Sequence, residues 1–487
     1  MIDLSINESV LKKTIQRARE RNIIIPTFEQ MRNPGDLPKK IMEDLISLGL
    51  WEIHPRNLFR ITWKNEPKSK GGGFKSLPNY LELPHELTGV EARIFALVGK
   101  WMPSGSHKVG ATFGCLVPKL VTGQFDPTKQ TAVWPSTGNY CRGGAYDATL
   151  LACDSLAILP EEMSQERFDW LKTVAGEIIK TPGGESNVKE IFDKCRELKQ
   201  ERGDKIIVFN QFDEFGNHLW HHEVTGPAMK EVLDQKLGNA KYKGICLTTG
   251  SAGTLGSADY LKKIYPIAKT AAGESLQCPT MLLNGYGYHR IEGIGDKHIP
   301  WIHNVKQTDL IIAIDDKDCI NVMRLFNESA GYNYLEKIGV PDEIISKLDL
   351  LGISSIANLL MTIKFAKYFE LTKNDVLLTV FTDSMEMYQS RLKELNKKHG
   401  NYKEINAAVD FHRSIEGIKT DNMLELSYTE KKRIHNLKYF TWIEQQGKNI
   451  DELNQQWFDD ENYWNAISGI SLKLDELIKQ FNEQVGL

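Results

Sequence analysis

The chain has 487 residues, 41% of them hydrophobic and 25% charged, with a formal net charge of −4. That length exceeds what one hydrophobic core holds, so two domains plus additions are expected, and the composition is that of a soluble globular protein. The absence of a basic field excludes nucleic acid as a partner, and no apolar run approaches the roughly 18 residues that a membrane span needs.

The N-terminus, "MIDLSINESVLKKTIQRARE", is charged and amphipathic without an apolar signal core. Residues 1–60 read as helical and then irregular, and "KNEPKSKGGGFKSLPN" (64–79) reads as a loop. From about residue 90 to 390 short apolar runs alternate with helical periodicity. "ARIFALV" precedes "SHKVGATFGCLVPKLV", "QTAVWP" precedes "YCRGGAYDATLLA", and "SLAILP" precedes "QERFDWLKTVAGE". "KIIVFNQF", "GICLTTG", "PTMLLNG", "DLIIAID" and "DVLLTVFT" continue the apolar runs. This alternation predicts an α/β fold of mainly parallel sheets flanked by helices. Beyond about Leu395 the chain is charged and aromatic with helical spacing. Trp442, Trp457 and Trp464 are expected to pack a helical extension onto the core, its other readings being an oligomer interface or a cover over the active site. Cys115, Cys141, Cys153, Cys195, Cys246, Cys278 and Cys319 are odd in number and lack CxxC spacing. They fit reduced thiols in the cytoplasm better than disulfides or zinc.

Ligands of open parallel sheets bind beyond the carboxyl ends of the strands, and three strand-to-helix loops here are rich in Gly, Ser and Thr. In "PSGSHK" (103–108) a lysine opens a helix, where the partial positive charge of the helix start disfavours it in a purely structural role. "PSTGN" (135–139) puts Asn139 at a helix head, either as a plain cap or as part of a carboxylate grip. "TTGSAGTLG" (248–256) matches neither GxxxxGK[ST] nor GxGxxG, which leaves a single phosphate monoester or a plain turn. A lysine, a phosphate-sized cradle and a carboxylate-sized cradle together point to pyridoxal 5'-phosphate holding an amino acid.

Five segments in order are similar to the cysteine synthase and tryptophan synthase β-like pyridoxal-phosphate enzymes of fold type II, over roughly residues 90–390: "SGSHK", "STGN", "NQFDEFGNHLWHHEVTGPAM" (210–229), "TTGSAGTLG", and "EGIGDKHIP" (292–300) followed by "LGISSIAN" (351–358). The resemblance implies two mainly parallel twisted sheets, with a small domain of about 110–205 inserted in a core of 61–395; the N-terminal segment of 1–60 and the helical extension of 396–487 have no counterpart in the short family members. It implies Lys108 as the catalytic Schiff-base lysine and general base at Cα. Asn139 is then expected at the cofactor's 3′-oxygen, and Gly250, Ser251, Ala252, Gly253 and Thr254 at its phosphate. Ser136, Thr137, Gly138, Asn139 and Tyr140 become the substrate-carboxylate loop. A hydroxyl of Ser354 or Ser355, or instead Thr382 or Ser384, faces the pyridine nitrogen. Such a site removes the α-proton and expels a β-substituent through an aminoacrylate, with water or a thiol deciding between elimination and replacement. A small amino acid such as cysteine, serine or an activated serine, a sulfide or thiol co-substrate, and a homodimer are the implied partners.

Departures from the family pattern leave the substrate open. His107 precedes the lysine, as in tryptophan synthase β chains, and either contacts the phosphate or faces solvent. Tyr140 follows Asn139 where cysteine synthases carry Thr, and Arg142 either contributes to the carboxylate grip or lies on the surface. His218, His221 and His222 share a helix face, with Glu223 beside them, but the resemblance gives His222 a structural place and no metal is assigned. The alternatives are an ammonia-lyase acting on serine, threonine or a diamino acid, and a non-catalytic binding or regulatory subunit that kept the fold.

Overall fold

Strands covered on both faces read as unbroken apolar runs, and Leu310–Ile314 and Asp375–Phe381 are buried at every position. The computed structural model describes every residue except Thr137, Ser186, Asp296 and Leu487. Its strands are β1 (Tyr80–Leu83), β2 (Arg93–Val98), β3 (Thr131–Pro135), β4 (Asp154–Pro160), β5 (Glu177–Thr181), β6 (Ile206–Val208), β7 (Lys241–Thr248), β8 (Lys269–Ser275), β9 (Leu310–Ile314), β10 (Asp375–Phe381) and β11 (Met423–Glu425).

Seven of them form one sheet in the order β1-β2-β10-β7-β8-β9-β11. It is parallel except at its edges, where β1 runs against β2 and β11 against β9. The other sheet, β5-β4-β3-β6, is parallel throughout, and its strands fall between β2 and β7 in the chain. Helices cover both sheets, as the alternating pattern predicts for an α/β fold. One expectation changes. The run "PTMLLNG" carries the short helix Thr280–Leu283, and the strand of that region is the small-residue segment "KTAAGES" before it.

The two chain ends meet. The last helix, Ser471–Val485, packs on the first, Glu8–Glu20. Asp475 accepts the Phe28 N–H at 2.7 Å, and Asn482 accepts the Ile25 N–H at 2.9 Å. Trp442, Trp457 and Trp464 are all buried, as their helical spacing predicts. The Trp442 indole donates to the Ile299 carbonyl at 2.8 Å. Lys438, fully enclosed, donates to the Trp301 and His303 carbonyls at 2.9 and 2.8 Å and to Gln456 at 2.7 Å. The C-terminal helices therefore clamp residues 299–303, the continuation of "EGIG". Among the described residues no helix is long and apolar enough to cross a membrane.

Candidate active site

The loops leaving β2, β3, β7 and β10 come together. After β2 the chain turns through Ser104, which takes a left-handed φ of 63°, and Lys108 opens the helix Lys108–Val121. The Lys108 N–H donates to Ser106 Oγ at 3.3 Å, and Nζ donates to Ser251 Oγ at 2.9 Å. The helix Asn139–Leu150 lies directly against the Lys108 backbone because Gly143 has no side chain: a Cβ there would sit 2.9 Å from Val109 N and 3.0 Å from Lys108 C. The lysine at the helix start is thus held inward, between two other loops.

The loop after β7 meets it. Among the described residues, the backbone N–H groups of Gly250, Ser251, Ala252, Gly253 and Thr254 donate to no protein acceptor. They lead into the ten-residue helix Leu255–Ile264, whose start favours an anion. Asn217 braces the loop from behind, its Nδ2 donating to Ser251 Oγ at 3.0 Å, while its Oδ1 is buried without a partner. A Cβ on Gly253 would lie only 2.0 Å from that Oδ1. Five unpartnered N–H groups beside a lysine amine fit pyridoxal phosphate: the loop would take its phosphate and Lys108 its carbonyl carbon.

His107 is fully buried, with Nε2 3.3 Å from Thr382 Oγ1 and its ring edge-on to His221. Solvent is not its destination. Burial, and next the Lys108 charge, push its pKa down to about 3, so it stays neutral and adds no second cation beside the amine.

The loop after β3 carries the remaining expected residues. Ser136 Oγ accepts the Gly138 N–H at 3.0 Å, which tightens the turn, and the helix that follows leaves the N–H groups of its first turn for a ligand. Asn139 is nine-tenths buried. Thr137 lies outside the described residues. Tyr140 does not share the site through its side chain: its ring packs edge-on to Trp134 and its hydroxyl donates to Cys115 at 3.5 Å. The residue after Asn139 points to the back of its helix, where an aromatic ring fills core space. Arg142 is not on the surface either, being fully buried over the Trp170 ring.

Of the four hydroxyls considered for the pyridine nitrogen, those of Ser354, Ser355 and Ser384 are buried at this end of the sheet and Thr382 is half-buried. Thr382 is engaged by His107, and Ser355 donates to the Asp383 carbonyl at 3.5 Å. Ser354 and Ser384 carry no side-chain partner among the described residues.

Sequence reasoning missed a polar seam beside Asn139. Asn139 Nδ2 donates to Asp383 Oδ2 at 2.6 Å, and Tyr388 OH donates to the same oxygen at 2.7 Å. Arg167 NH2 donates to Tyr388 OH at 2.9 Å, and Arg167 also pairs with Glu292, which Arg391 holds at 2.6 Å. Burial alone would lower the Arg167 pKa, but Tyr388 and Glu292 outweigh it and hold the guanidinium charged. Burial raises the Asp383 carboxyl above its ordinary range, against the pull of Arg167. One signal was available: a carboxylate between Thr382 and Ser384, at the carboxyl end of a buried strand.

Residues 80–334 match the model of the pyridoxal-phosphate dependent enzyme family. The chain belongs to this family. A cysteine synthase of Staphylococcus aureus is 30% identical over 289 residues, 59% of this chain and 84% of its own. A cystathionine beta-synthase of Saccharomyces cerevisiae is 25% identical over 319 residues, 64% of this chain and 59% of its own. Among solved structures, a cysteine synthase from Entamoeba histolytica superposes with a TM-score of 0.56 at 22% identity, covering 69% of this chain and 93% of its own. A hydrogen sulfide-producing enzyme from Fusobacterium nucleatum gives 0.55 at 24%, covering 64% and 96%. The cofactor of this family member is pyridoxal phosphate, and its reaction class is replacement or elimination at Cβ of an amino acid.

Proposed function

We propose that this family member works on a small amino acid carrying a β-leaving group, such as cysteine or an activated serine, with sulfide or another thiol as co-substrate. One observation carries the reading: Lys108 Nζ rests 2.9 Å from Ser251, at the mouth of a five-residue run of unpartnered N–H groups. Residues 250–254 and the helix start behind them would hold the cofactor phosphate, Lys108 its carbonyl carbon, and Ser354 or Ser384 its ring nitrogen. When bound, pyridoxal phosphate supplies an electron sink that acidifies Cα and lets the β-substituent depart.

The chain's own residues do the rest. The N–H groups at the head of the Asn139–Leu150 helix bind the substrate carboxylate and fix which Cα bond faces Lys108. Lys108 Nζ, released by the incoming amino group, takes the proton from Cα. Neutral His107 leaves that amine without a neighbouring positive charge. The buried seam from Asn139 to Glu292 keeps water from the reacting carbons, which favours a thiol as the group added at Cβ.

Two coarser features join the proposal. Seven free cysteines, all buried, support a reducing compartment, for which we assign the cytosol, and a homodimer is the assembly expected from the family resemblance. Light scattering tests the second.

The function is tested by incubating the holoenzyme with L-cysteine, then with O-acetyl-L-serine and sulfide. Sulfide release in the first, or cysteine formation in the second, abolished in Lys108→Ala, supports the reading. Cofactor-loaded protein that yields no β-product from either would overturn it and favour a non-catalytic binding role.

A further inference from the structure

Arg142 is fully buried yet incompletely satisfied. Its NH1 donates to Asn139 Oδ1 at 3.4 Å and to Met387 Sδ at 2.6 Å, and its guanidinium lies 4.5 Å over the Trp170 ring. Nε and NH2 are buried with no hydrogen-bond partner. Those two groups form one edge of the guanidinium, the parallel pair of N–H bonds that takes a carboxylate or phosphate side-on. Among the described residues Arg142 makes no ion pair. Burial, and then the neighbouring Arg167, lower its pKa to about 10, which still leaves it charged at neutral pH. A buried guanidinium with a whole edge unpaired is destabilising by several hydrogen bonds' worth of desolvation, and no apolar role requires it.

The neighbouring cation is already committed. A Cβ on Gly138 would lie 2.6 Å from Arg167 Nε, so Arg167 presses on the carboxylate loop, but its partners are Glu292 and Tyr388. The substrate's α-carboxylate has its own receptor in the N–H groups ahead of Arg142. The remaining edge of Arg142 is therefore surplus to the needs of a simple amino acid.

We propose that the Nε/NH2 edge of Arg142 receives a second oxyanion carried by one of the reacting partners, beyond the α-carboxylate. This rests on the Cβ reading above. Two sources share that chemistry: an anionic leaving group, such as a phosphate ester at Cβ, or a carboxylate on the thiol that replaces it. Met387, from the loop after β10, meets the guanidinium at NH1 and so leaves the Nε/NH2 edge without a partner.

The test compares the holoenzyme with Arg142→Met and Arg142→Lys in two arms. In the first, sulfide is the nucleophile and O-phospho-L-serine is set against O-acetyl-L-serine. In the second, O-acetyl-L-serine is the donor and thioglycolate is set against 2-mercaptoethanol. The expected result, in one arm, is that Arg142→Met lowers kcat/KM for the anionic member about 30-fold or more beyond its effect on the neutral member. Arg142→Lys keeps the charge but not the paired edge and should fall between. The arm that responds identifies the source. Equal losses for anionic and neutral members in both arms would assign Arg142 to the α-carboxylate or to folding and overturn the proposal. A wild-type enzyme that prefers the neutral member in both arms would do so even if neither variant folds. No product from wild type with O-acetyl-L-serine and either nucleophile would remove the Cβ reading, and this inference with it.

Discussion

Lys108 is where the local rule and the tertiary answer differ. A lysine at a helix start is unfavourable by the dipole, and the structure compensates by aiming it at Ser251, 2.9 Å away. Replacing Lys108 by Ala should abolish the visible absorption of the bound cofactor's linkage and cut turnover by about 10²–10⁴-fold. Absorbance spectra with product assays check both. Gly253 makes a sharper test of the phosphate loop. The Cβ of Gly253→Ala would collide with Asn217 Oδ1 at 2.0 Å, a side-chain amide that can yield only by giving up its bonds to Ser251 and the Gln211 carbonyl. The expected outcome is weaker cofactor binding, seen by equilibrium dialysis, with a loss of about 1–3 kcal/mol in stability. Full cofactor affinity in Gly253→Ala would contradict the assignment of that loop.

At the scale of elements, the C-terminal helices act as a clamp on the segment that follows Glu292. Trp442 fills a buried aromatic cluster with Trp301, His298 and Phe192, and its indole is the partner of the Ile299 carbonyl. Trp442→Ala should cost about 3–5 kcal/mol, from the cavity and the orphaned carbonyl together, as measured by urea denaturation. Strands show where pattern reading works and where it stops. β9 and β10 are continuous apolar runs because helices cover both their faces, so they are visible in the sequence. β8 is "KTAAGES", invisible as an apolar run. It is built of small residues because the Ile353–Tyr368 helix lies close: a Cβ on Gly273 would meet Met361 Sδ at 2.5 Å. A helix that close leaves room only for Ala and Gly, and that demand arises from a partner more than eighty residues away in the chain.

For the whole molecule, acid lability follows from buried histidines. Burial holds His107, His218, His298, His303 and His435 at pKa values of about 3 and His289 at about 4, and drives His221 well down. Each is neutral when folded and takes up a proton only on unfolding, so its contribution is present above the ordinary histidine pKa of 6.5 and is lost as pH falls below it. Asp259 and Glu274, raised by burial to about 7, and Asp147, raised well above its ordinary value, act in the opposite sense: they stay protonated when folded and favour low pH. Glu214, Asp316, Asp318, Asp383, Asp410 and Asp475 are raised by burial too, but by less, and between pH 6.5 and 5 the seven histidines outweigh the carboxyls at about 1.36 kcal/mol per pH unit each. The melting temperature should therefore fall steadily from pH 6.5 to 5. A constant value across that acid range, by calorimetry, would contradict the sign.

Alternation of apolar and helical segments, the three Gly-rich loops and the position of Lys108 were legible because each is a local requirement: strand burial, backbone approach to an anion, a helix start. Those features determined the α/β class and the cofactor, and they single out residues 250–254 as its proposed phosphate cradle. Sequence could not rank Tyr140 against Arg142, since both stand within one turn of Asn139 and only packing decides which turns to Cys115 and which is sealed over Trp170. Nor could it join Arg167, Glu292, Asp383 and Tyr388, which lie on segments separated by up to 221 residues. Their charges are tolerable in the interior only as a set, and the set exists only once two sheets have closed on each other.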